Sequence, residues 1–379
     1  MKKRILVINK FCPLHPSAGG AEKNLLRLFS KLNEHYDIYL LAAMFPGAQR
    51  REVYRGITII RLGNRNSENI IRIHILIPIL LRYYIKELKP NILFEDISVL
   101  PFFIPLLCPG IKKMVMIHGF NRRYLLSSKR YLFAFVSYIT ETLFLLLYRN
   151  ELVITVSDWM RQELLRSHFK NVHTILNGVD ENLFTLQKCY TPEPTVLFLG
   201  RLEKRKGVDL FLLTYELVKK SIPHVHYMIA GKDFSFGNAQ LHRVLQYYRA
   251  HYTQNEISFF GFVSDEQKNA LLQKTWLTVM PSHTEGYGIA AIEASATGTF
   301  VIANNVEGLQ ESVHQNESGV LVDCKKKTAF AEKIIQWLDI QKLTEKQIPA
   351  RTWAKTHSWN KSVNELKTLI EHISEMKGA

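Results

Sequence analysis

The chain has 379 residues, 47% of them hydrophobic and 22% charged. That length suits two domains of roughly 150–200 residues, and the apolar content excludes a disordered chain. The net charge of +15 is lopsided: residues 1–190 carry 27 basic and 14 acidic side chains, residues 191–379 carry 22 and 20. The first half is therefore expected to face something anionic. Cys12, Cys108, Cys189 and Cys324 lie far apart without a Cys-x-x-Cys pair. A zinc ribbon, an iron–sulfur site and a disulfide framework are thus unsupported, and reduced thiols are expected.

Met1-Lys2-Lys3-Arg4 runs straight into the apolar Ile5–Ile8, which reads as a first buried strand, not a secretory signal. Further strands are predicted at Ile38–Leu41, Thr58–Arg61, Ile92–Phe94, Met114–Ile117, Leu152–Val156 and His173–Leu176. Helical patterns lie between them; in Ala21–Glu34, Leu25, Leu28, Phe29 and Leu32 share one face. Asn177-Gly178-Val179-Asp180 ends this series, and Tyr190–Pro194 reads as a proline-marked connector. The pattern restarts with strands at Val196–Leu199, Val225–Ala230, Ile257–Phe260, Leu277–Met280, Phe300–Ala303 and Val320–Val322, then a final helical stretch over Ser358–Met376. Alternating strands and helices imply parallel sheets with right-handed crossovers. The apolar stretches Ile70–Leu81, Val99–Gly110 and Tyr131–Tyr148 are interrupted by Arg72, His74 and Pro78, by three prolines, and by Glu141. No transmembrane helix is expected.

In open parallel sheets ligands bind at the carboxyl ends of strands. After the first strand, Gly19-Gly20 opens a helix, where backbone amides can approach an anion. After the Val196–Leu199 strand, Gly200–Gly207 is a glycine-bounded loop bearing Arg201 and Lys206, two cations suited to a diphosphate. It is not G-x-x-x-x-G-K-[ST], so a P-loop nucleotidase is disfavoured. After Leu277–Met280 comes Pro281–Glu293, with Glu285 in a loop and Glu293 about two turns into the following helix. Gly286 and Gly288 free amides at that helix start, and two carboxylates beside an amide-rich turn suit hydroxyls on either side of a diphosphate. His224-x-His226 puts two imidazoles on one strand face; with no acidic cluster beside it, the pair is read as structural.

These segments, in this order, resemble the retaining glycosyltransferases of family 4, which have the GT-B fold. The match rests on Gly19-Gly20-Ala21-Glu22, Asn177-Gly178-Val179-Asp180 with Phe184, Gly200-Arg201 with Lys206-Gly207, and Glu285-x₇-Glu293. It implies an α/β protein of two Rossmann-like parallel-sheet domains across a cleft: an acceptor-side domain over residues 1–180, a nucleotide-sugar domain over 181–357, and a helix over 358–379 returning to the first. It further implies that Gly19, Gly20, Arg201 and Lys206 bind the donor diphosphate side. Glu285 with the amides of Gly286, Tyr287, Gly288 and Ile289 would hold the donor sugar, Glu293 the ribose, and Phe262 and Val263 would lie near the base. His118, followed by Gly119, matches the first-domain histidine facing the reacting sugar, so His118 and Glu285 are the candidate catalytic residues. The resemblance implies no cofactor and no metal; the co-substrate is a nucleoside-diphosphate sugar, with UDP favoured and GDP the alternative. Phe300, Glu307 and Gln310 depart from the family pattern near the donor-side helices.

The expected activity is transfer of a hexose-type sugar with retention to a saccharide or lipid-linked acceptor of envelope polysaccharide or lipopolysaccharide assembly. The basic first half suits an anionic membrane: Arg50, Arg51, Arg55, Arg61 and Arg65 cluster around the early strands, and Arg122, Arg123, Lys129 and Arg130 precede Tyr131–Tyr148. A cytoplasmic protein, peripheral on the inner face of the cell membrane, is the resulting expectation. The alternative is a basic nucleic-acid- or membrane-binding protein without transferase activity. No helix-turn-helix, zinc-finger or RNA-recognition pattern supports a nucleic-acid partner.

Overall fold

The structure is a computed structural model, and it describes residues 2–64, 70–97, 100–118, 139, 142–323 and 327–375. The chain divides into two compact units, Met1–Asn177 with Trp359–Ala379, and Gly178–Ser358.

The first unit is built on a sheet of β1 (Lys3–Ile8), β2 (Tyr36–Ala43), β3 (Arg51–Tyr54), β4 (Ile57–Leu62), β5 (Ile92–Ile97), β6 (Lys112–Ile117), β7 (Leu152–Thr155) and β8 (Asn171–Thr174). Their order is β3-β4-β2-β1-β5-β6-β7-β8, parallel throughout except for β3, which pairs antiparallel with β4. Alternation along β1 feeds two cores. Ile5 and Val7 pack under helix α1 (Gly20–Leu32), while Leu6 and Ile8 pack under α2 (Ile70–Leu88) and the Phe144–Tyr148 segment. With both faces covered, the strands read as continuous apolar runs.

The final helix of the chain, Trp359–Glu375, belongs to this unit. Trp359, Val363, Leu366, Ile370 and Ile373 form its buried stripe at three- and four-residue steps and join the α1 core. Ser362 Oγ donates to the Leu176 carbonyl at 2.6 Å, and Lys31 Nζ donates to Asn360 at 2.6 Å.

The second unit repeats the plan with β9 (Thr195–Leu199), β10 (His226–Ala230), β11 (Ile257–Gly261), β12 (Leu277–Met280), β13 (Phe300–Asn304) and β14 (Gly319–Val322). All pairs are parallel, in the order β11-β10-β9-β12-β13-β14. Val196 and Phe198 face one helical layer; Leu197 faces the other, with Ala291 and Ala294. Arg351 clamps the entering segment: its guanidinium donates to the carbonyls of Phe184, Leu186, Ala296 and Thr297 at 2.5–3.0 Å.

Two expectations are corrected. The strand foreseen at His173–Leu176 runs over Asn171–Thr174, two residues earlier. The closing helical stretch expected at Ser358–Met376 is the helix Trp359–Glu375, and a helix that was not foreseen, Ile340–Lys355, precedes it. Arg61 is no surface cation: it is 1% exposed, because β4 carries it into the interior. There it pairs with Glu52, donates to the Gln49 carbonyl at 2.8 Å and lies over the Phe45 ring.

Of the cysteines, Cys12, Cys108 and Cys189 are free thiols; Cys324 lies outside the described residues. So do Arg65, Gly119, Arg122, Arg123, Lys129, Arg130, Tyr131–Ser137 and Met376. Among the described residues no helix is long and apolar enough to cross a membrane.

Candidate active site

In the second unit, β9 ends at Leu199 and the chain turns through Gly200–Gly207 into the helix Val208–Ser221. Gly207 has φ of +70°, and a Cβ there would meet the Pro281 carbonyl oxygen at 2.1 Å. Only glycine lets this loop lie against the one that follows β12. Two further bonds join them: the His283 amide donates to the Arg205 carbonyl at 2.8 Å, and the Arg205 guanidinium to the Thr284 carbonyl at 3.4 Å. Asn304, at the end of β13, donates to the Ser282 carbonyl at 2.8 Å. Gly308 completes the frame, since a Cβ there would sit 2.4 Å from the Glu285 carbonyl oxygen. The short helix Glu307–Ser312 can therefore press directly on the Glu285 backbone.

This framing brings Lys206 and Glu285 into an ion pair, with the Ser282 hydroxyl donating to Glu285 at 2.9 Å. Burial alone would push the Glu285 carboxyl up; Lys206, Arg205 and Ser282 outweigh it and hold it below the ordinary glutamate value. Arg201, five residues before Lys206, lies over the Phe234 ring at 5.0 Å, which fixes its guanidinium plane. Gly288 caps the helix Ile289–Ala296, so the amides of Gly286 to Ile289 lie at a helix start beside this pair. The Tyr287 side chain is buried near His357.

Glu293, inside that helix, is held at 2.6 Å by Lys268 of a different helix, Asp265–Lys274. Phe262, 74% exposed, and Val263 immediately precede that helix. The second unit thus brings together Lys206, Glu285 and the Gly286–Ile289 turn; Arg201 shares the loop of Lys206, Glu293 lies in the helix that the turn opens, and Phe262–Val263 leads into the helix that carries Lys268. Nothing in the residue pattern singles out Lys268, because its contact with Glu293 exists only where two helices meet in space.

The first unit holds the other candidates. His118 follows β6, and its Nε2 donates to Asp96 Oδ1 at 2.5 Å. Asp96, on β5, also accepts from Asn9 Nδ2 at 3.0 Å. Burial would lower the imidazole's pKa, but Asp96 and Glu22 outweigh it and raise it above the ordinary histidine value. Asp96 was missed in the sequence, although Glu95-Asp96 near the end of a predicted strand was a visible carboxylate pair. Gly19 caps α1, but its amide already donates to Glu22 at 2.7 Å; Gly20 is the first helical residue. Among the described residues no group of three or more His, Cys, Asp or Glu side chains is placed to hold a metal ion. His226, one of the two strand histidines, bonds the Ser258 hydroxyl at 2.8 Å.

Known proteins share both halves. Residues 18–183 match the family model described as Glycosyltransferase Family 4, and residues 181–352 the one described as Glycosyl transferases group 1. A glycogen synthase of Mycobacterium tuberculosis is 31% identical over 180 residues, covering 45% of this chain and 41% of that one. The chain thus spans about two-fifths of that relative's length. A GDP-mannose:cellobiosyl-diphosphopolyprenol alpha-mannosyltransferase of Xanthomonas oryzae is 24% identical over 355 residues, 88% of this chain and 86% of that one. Among solved structures, a sucrose-phosphate synthase from Thermosynechococcus elongatus aligns with TM-score 0.84 at 19% identity, covering 98% and 99% of the two chains. Anabaena HepE, solved with UDP and glucose, aligns with TM-score 0.74 at 17% identity, covering 98% and 100%. The chain belongs to the GT-B glycosyltransferases, joining a family 4 first half to a group 1 second half.

Proposed function

We propose that the chain transfers a hexose-type sugar from a nucleoside-diphosphate sugar to an acceptor hydroxyl, with retention of anomeric configuration and without a metal ion. The observation that carries this is the Lys206–Glu285 pair, with Arg201 on the same glycine-bounded loop as Lys206 and Glu285 just ahead of an amide-rich helix start. In this reading Arg201 and Lys206 hold the diphosphate. Glu285 and the amides of Gly286, Tyr287, Gly288 and Ile289 hold the sugar, and Glu293 holds the ribose. Phe262 and Val263 border the base. Charge separates as the sugar–phosphate bond breaks, and cations and amides already fixed in place stabilise the departing diphosphate without reorganising. His118, its tautomer set by Asp96, acts at the reacting end of the sugar. Gly19 and Gly20 are assigned to the diphosphate side, with Gly20 the better placed because the Gly19 amide is engaged.

UDP is the favoured nucleotide and GDP the alternative; the Anabaena complex supports the first and the name of the Xanthomonas relative the second. That relative's name also supports a lipid-linked saccharide acceptor of envelope polysaccharide assembly. We assign the acceptor and an anionic membrane surface, on the cytoplasmic face, to the first unit. Supporting this, α2 turns Ile75, Ile79 and Tyr83 outward together with Arg72, Arg82 and Lys86, and the neighbouring segment exposes Leu143, Leu146 and Arg149.

The experiment is a turnover screen across UDP-, GDP- and ADP-sugars, reading released nucleotide in wild type, Arg201→Ala and Glu285→Gln. One or more donors should be turned over by wild type, and both variants should lose at least about a hundredfold in rate. Wild-type turnover in both variants overturns the assignment.

A further inference from the structure

Lys268 lies fourth in the helix Asp265–Lys274, and the position of that helix is fixed at its first turn. Ser264 Oγ accepts from the Gln267 amide at 3.2 Å, while Gln267 Oε1 accepts from the Ser264 amide at 2.9 Å. This reciprocal cap sets the helical phase, and the phase turns Lys268 toward the neighbouring helix Ile289–Ala296. There its ammonium donates to Glu293 Oε1 at 2.6 Å and to Asp265 Oδ1 at 3.3 Å. The Lys268 and Glu293 side chains are only 15% and 19% exposed. Burial disfavours the lysine's charge, yet the two carboxylates outweigh it and keep its pKa above the ordinary value. No protein group among the described residues donates to the other Glu293 oxygen, Oε2, which is not sealed from solvent.

One oxygen of Glu293 is therefore pinned and the other is presented. We propose that Lys268 is a positioning residue for recognition of the donor's ribose: it pins Glu293 by Oε1 and aims Oε2 at a sugar hydroxyl. The inference rests on the reading of Glu293 as the ribose acceptor. Asp265 matters to the balance, because the cluster keeps a net negative charge with the lysine in place. Without Lys268, the largely buried Glu293 carboxylate faces the more exposed Asp265 with no cation between them, and Glu293 turns away. The segment that leads into this helix, Phe262-Val263-Ser264, also carries the proposed base contacts. Base and ribose recognition are thus delivered by a single capped helix start.

The test titrates the intact protein with UDP and GDP and takes the tighter binder forward in its ribo, 2′-deoxy and 3′-deoxy forms. Wild type should prefer the ribo form by about tenfold to a hundredfold over the deoxy form whose hydroxyl it senses, as a hydrogen bond to a charged group implies. Glu293→Gln should reduce that preference to within about threefold. Lys268→Met should bind the ribo form about tenfold more weakly and leave the deoxy form unchanged, while Lys268→Arg restores the preference. If Lys268→Met weakens both forms equally, or keeps the wild-type preference while Glu293→Gln loses it, Lys268 does not position Glu293. If Glu293→Gln itself keeps the preference, the ribose reading fails and takes the inference with it. If wild type binds neither diphosphate, the donor reading fails at its root. A melt of each variant checks the fold, and Lys268→Arg keeps the test open should the methionine variant unfold.

Discussion

The Lys206–Glu285 pair ties stability and donor use to the same two side chains, and replacing Lys206 with methionine separates them. Glu285 is 7% exposed on its side chain, so losing the lysine strands a carboxylate that water barely reaches. Breaking a buried pair by removing one partner costs about 3–5 kcal/mol in general. Here the Ser282 hydroxyl stays at 2.9 Å and Arg205 continues to favour the charge. The expected loss is accordingly smaller, about 2–3 kcal/mol, or a fall of about 5–10 °C in the melting of a unit of this size. Glu285 has its pKa lowered in the folded protein, so the pair's contribution is present above the unfolded glutamate value and fades as pH falls through the folded one. The deficit of Lys206→Met should therefore shrink in acid. Adding Glu285→Gln removes the stranded charge and should recover stability to within about 1 kcal/mol of wild type, without recovering donor turnover. Denaturant unfolding of wild type, Lys206→Met, Glu285→Gln and the double variant at pH 7 and pH 4, with turnover in parallel, makes the comparison. Lys206→Met as stable as wild type, or a double variant no more stable than Lys206→Met, refutes the reasoning.

Glu95 makes a second, independent prediction. It is fully buried, accepts from the Phe102 amide and from Tyr148 Oη at 2.7 Å, and burial raises its pKa to about 7. A raised folded pKa gives stability that is complete below the unfolded value and is lost as pH climbs through about 7. The first unit should lose about 3 kcal/mol between pH 4.5 and 8, and Glu95→Gln should flatten that slope and be the more stable protein at pH 8. A slope that persists in Glu95→Gln removes Glu95 from the account. Gly207→Ala should cost about 2–4 kcal/mol and weaken nucleoside-diphosphate binding more than tenfold, because the strained backbone and the Pro281 carbonyl push the two loops apart. Melting and a nucleotide titration check both halves of that statement.

Much of the fold was legible because a strand covered on both faces is a short apolar run, and twelve of the thirteen runs named lie on strands at nearly those residues. What escaped has definite causes. β3 is a four-residue, half-polar edge strand whose hairpin turns at Arg55-Gly56, with φ of 47° and 78°, and Arg-Gly is a weak turn signal beside Asn-Gly. α2 and the helix Ile340–Lys355 run through Pro78 and Pro349, residues that local propensity reads as breaks. The site loops showed themselves through glycine, charge and position after strands. Their partners did not, because Lys268 and Asp96 act only through helices and strands that meet in space.

The proposed membrane contact now depends on different residues from those the charge pattern picked out. Of the early-strand arginines, Arg61 is interior, Arg51 is bridged to Glu87 at 3.6 Å, and Arg55 lies near the Tyr54 ring. Charges already engaged with the protein lose little by staying in water, so they contribute little to lipid binding. The outward stripe of α2 differs in what surrounds its charges: Arg72, Arg82 and Lys86 stand among exposed Ile75, Ile79 and Tyr83, the mixture that suits a lipid interface. At about 1 kcal/mol per basic side chain near an anionic surface, neutralising those three to glutamine should lower partitioning onto vesicles by about a hundredfold. Neutralising Arg51 and Arg55 should change it by less than about tenfold. Sedimentation with vesicles containing an anionic phospholipid, at low salt, measures both. If the two sets of substitutions weaken binding equally, the attraction is a diffuse property of the net charge and α2 is not the docking element. If wild type fails to sediment at all, the membrane assignment falls while the donor chemistry stands, because Arg201, Lys206 and Glu285 belong to the other unit.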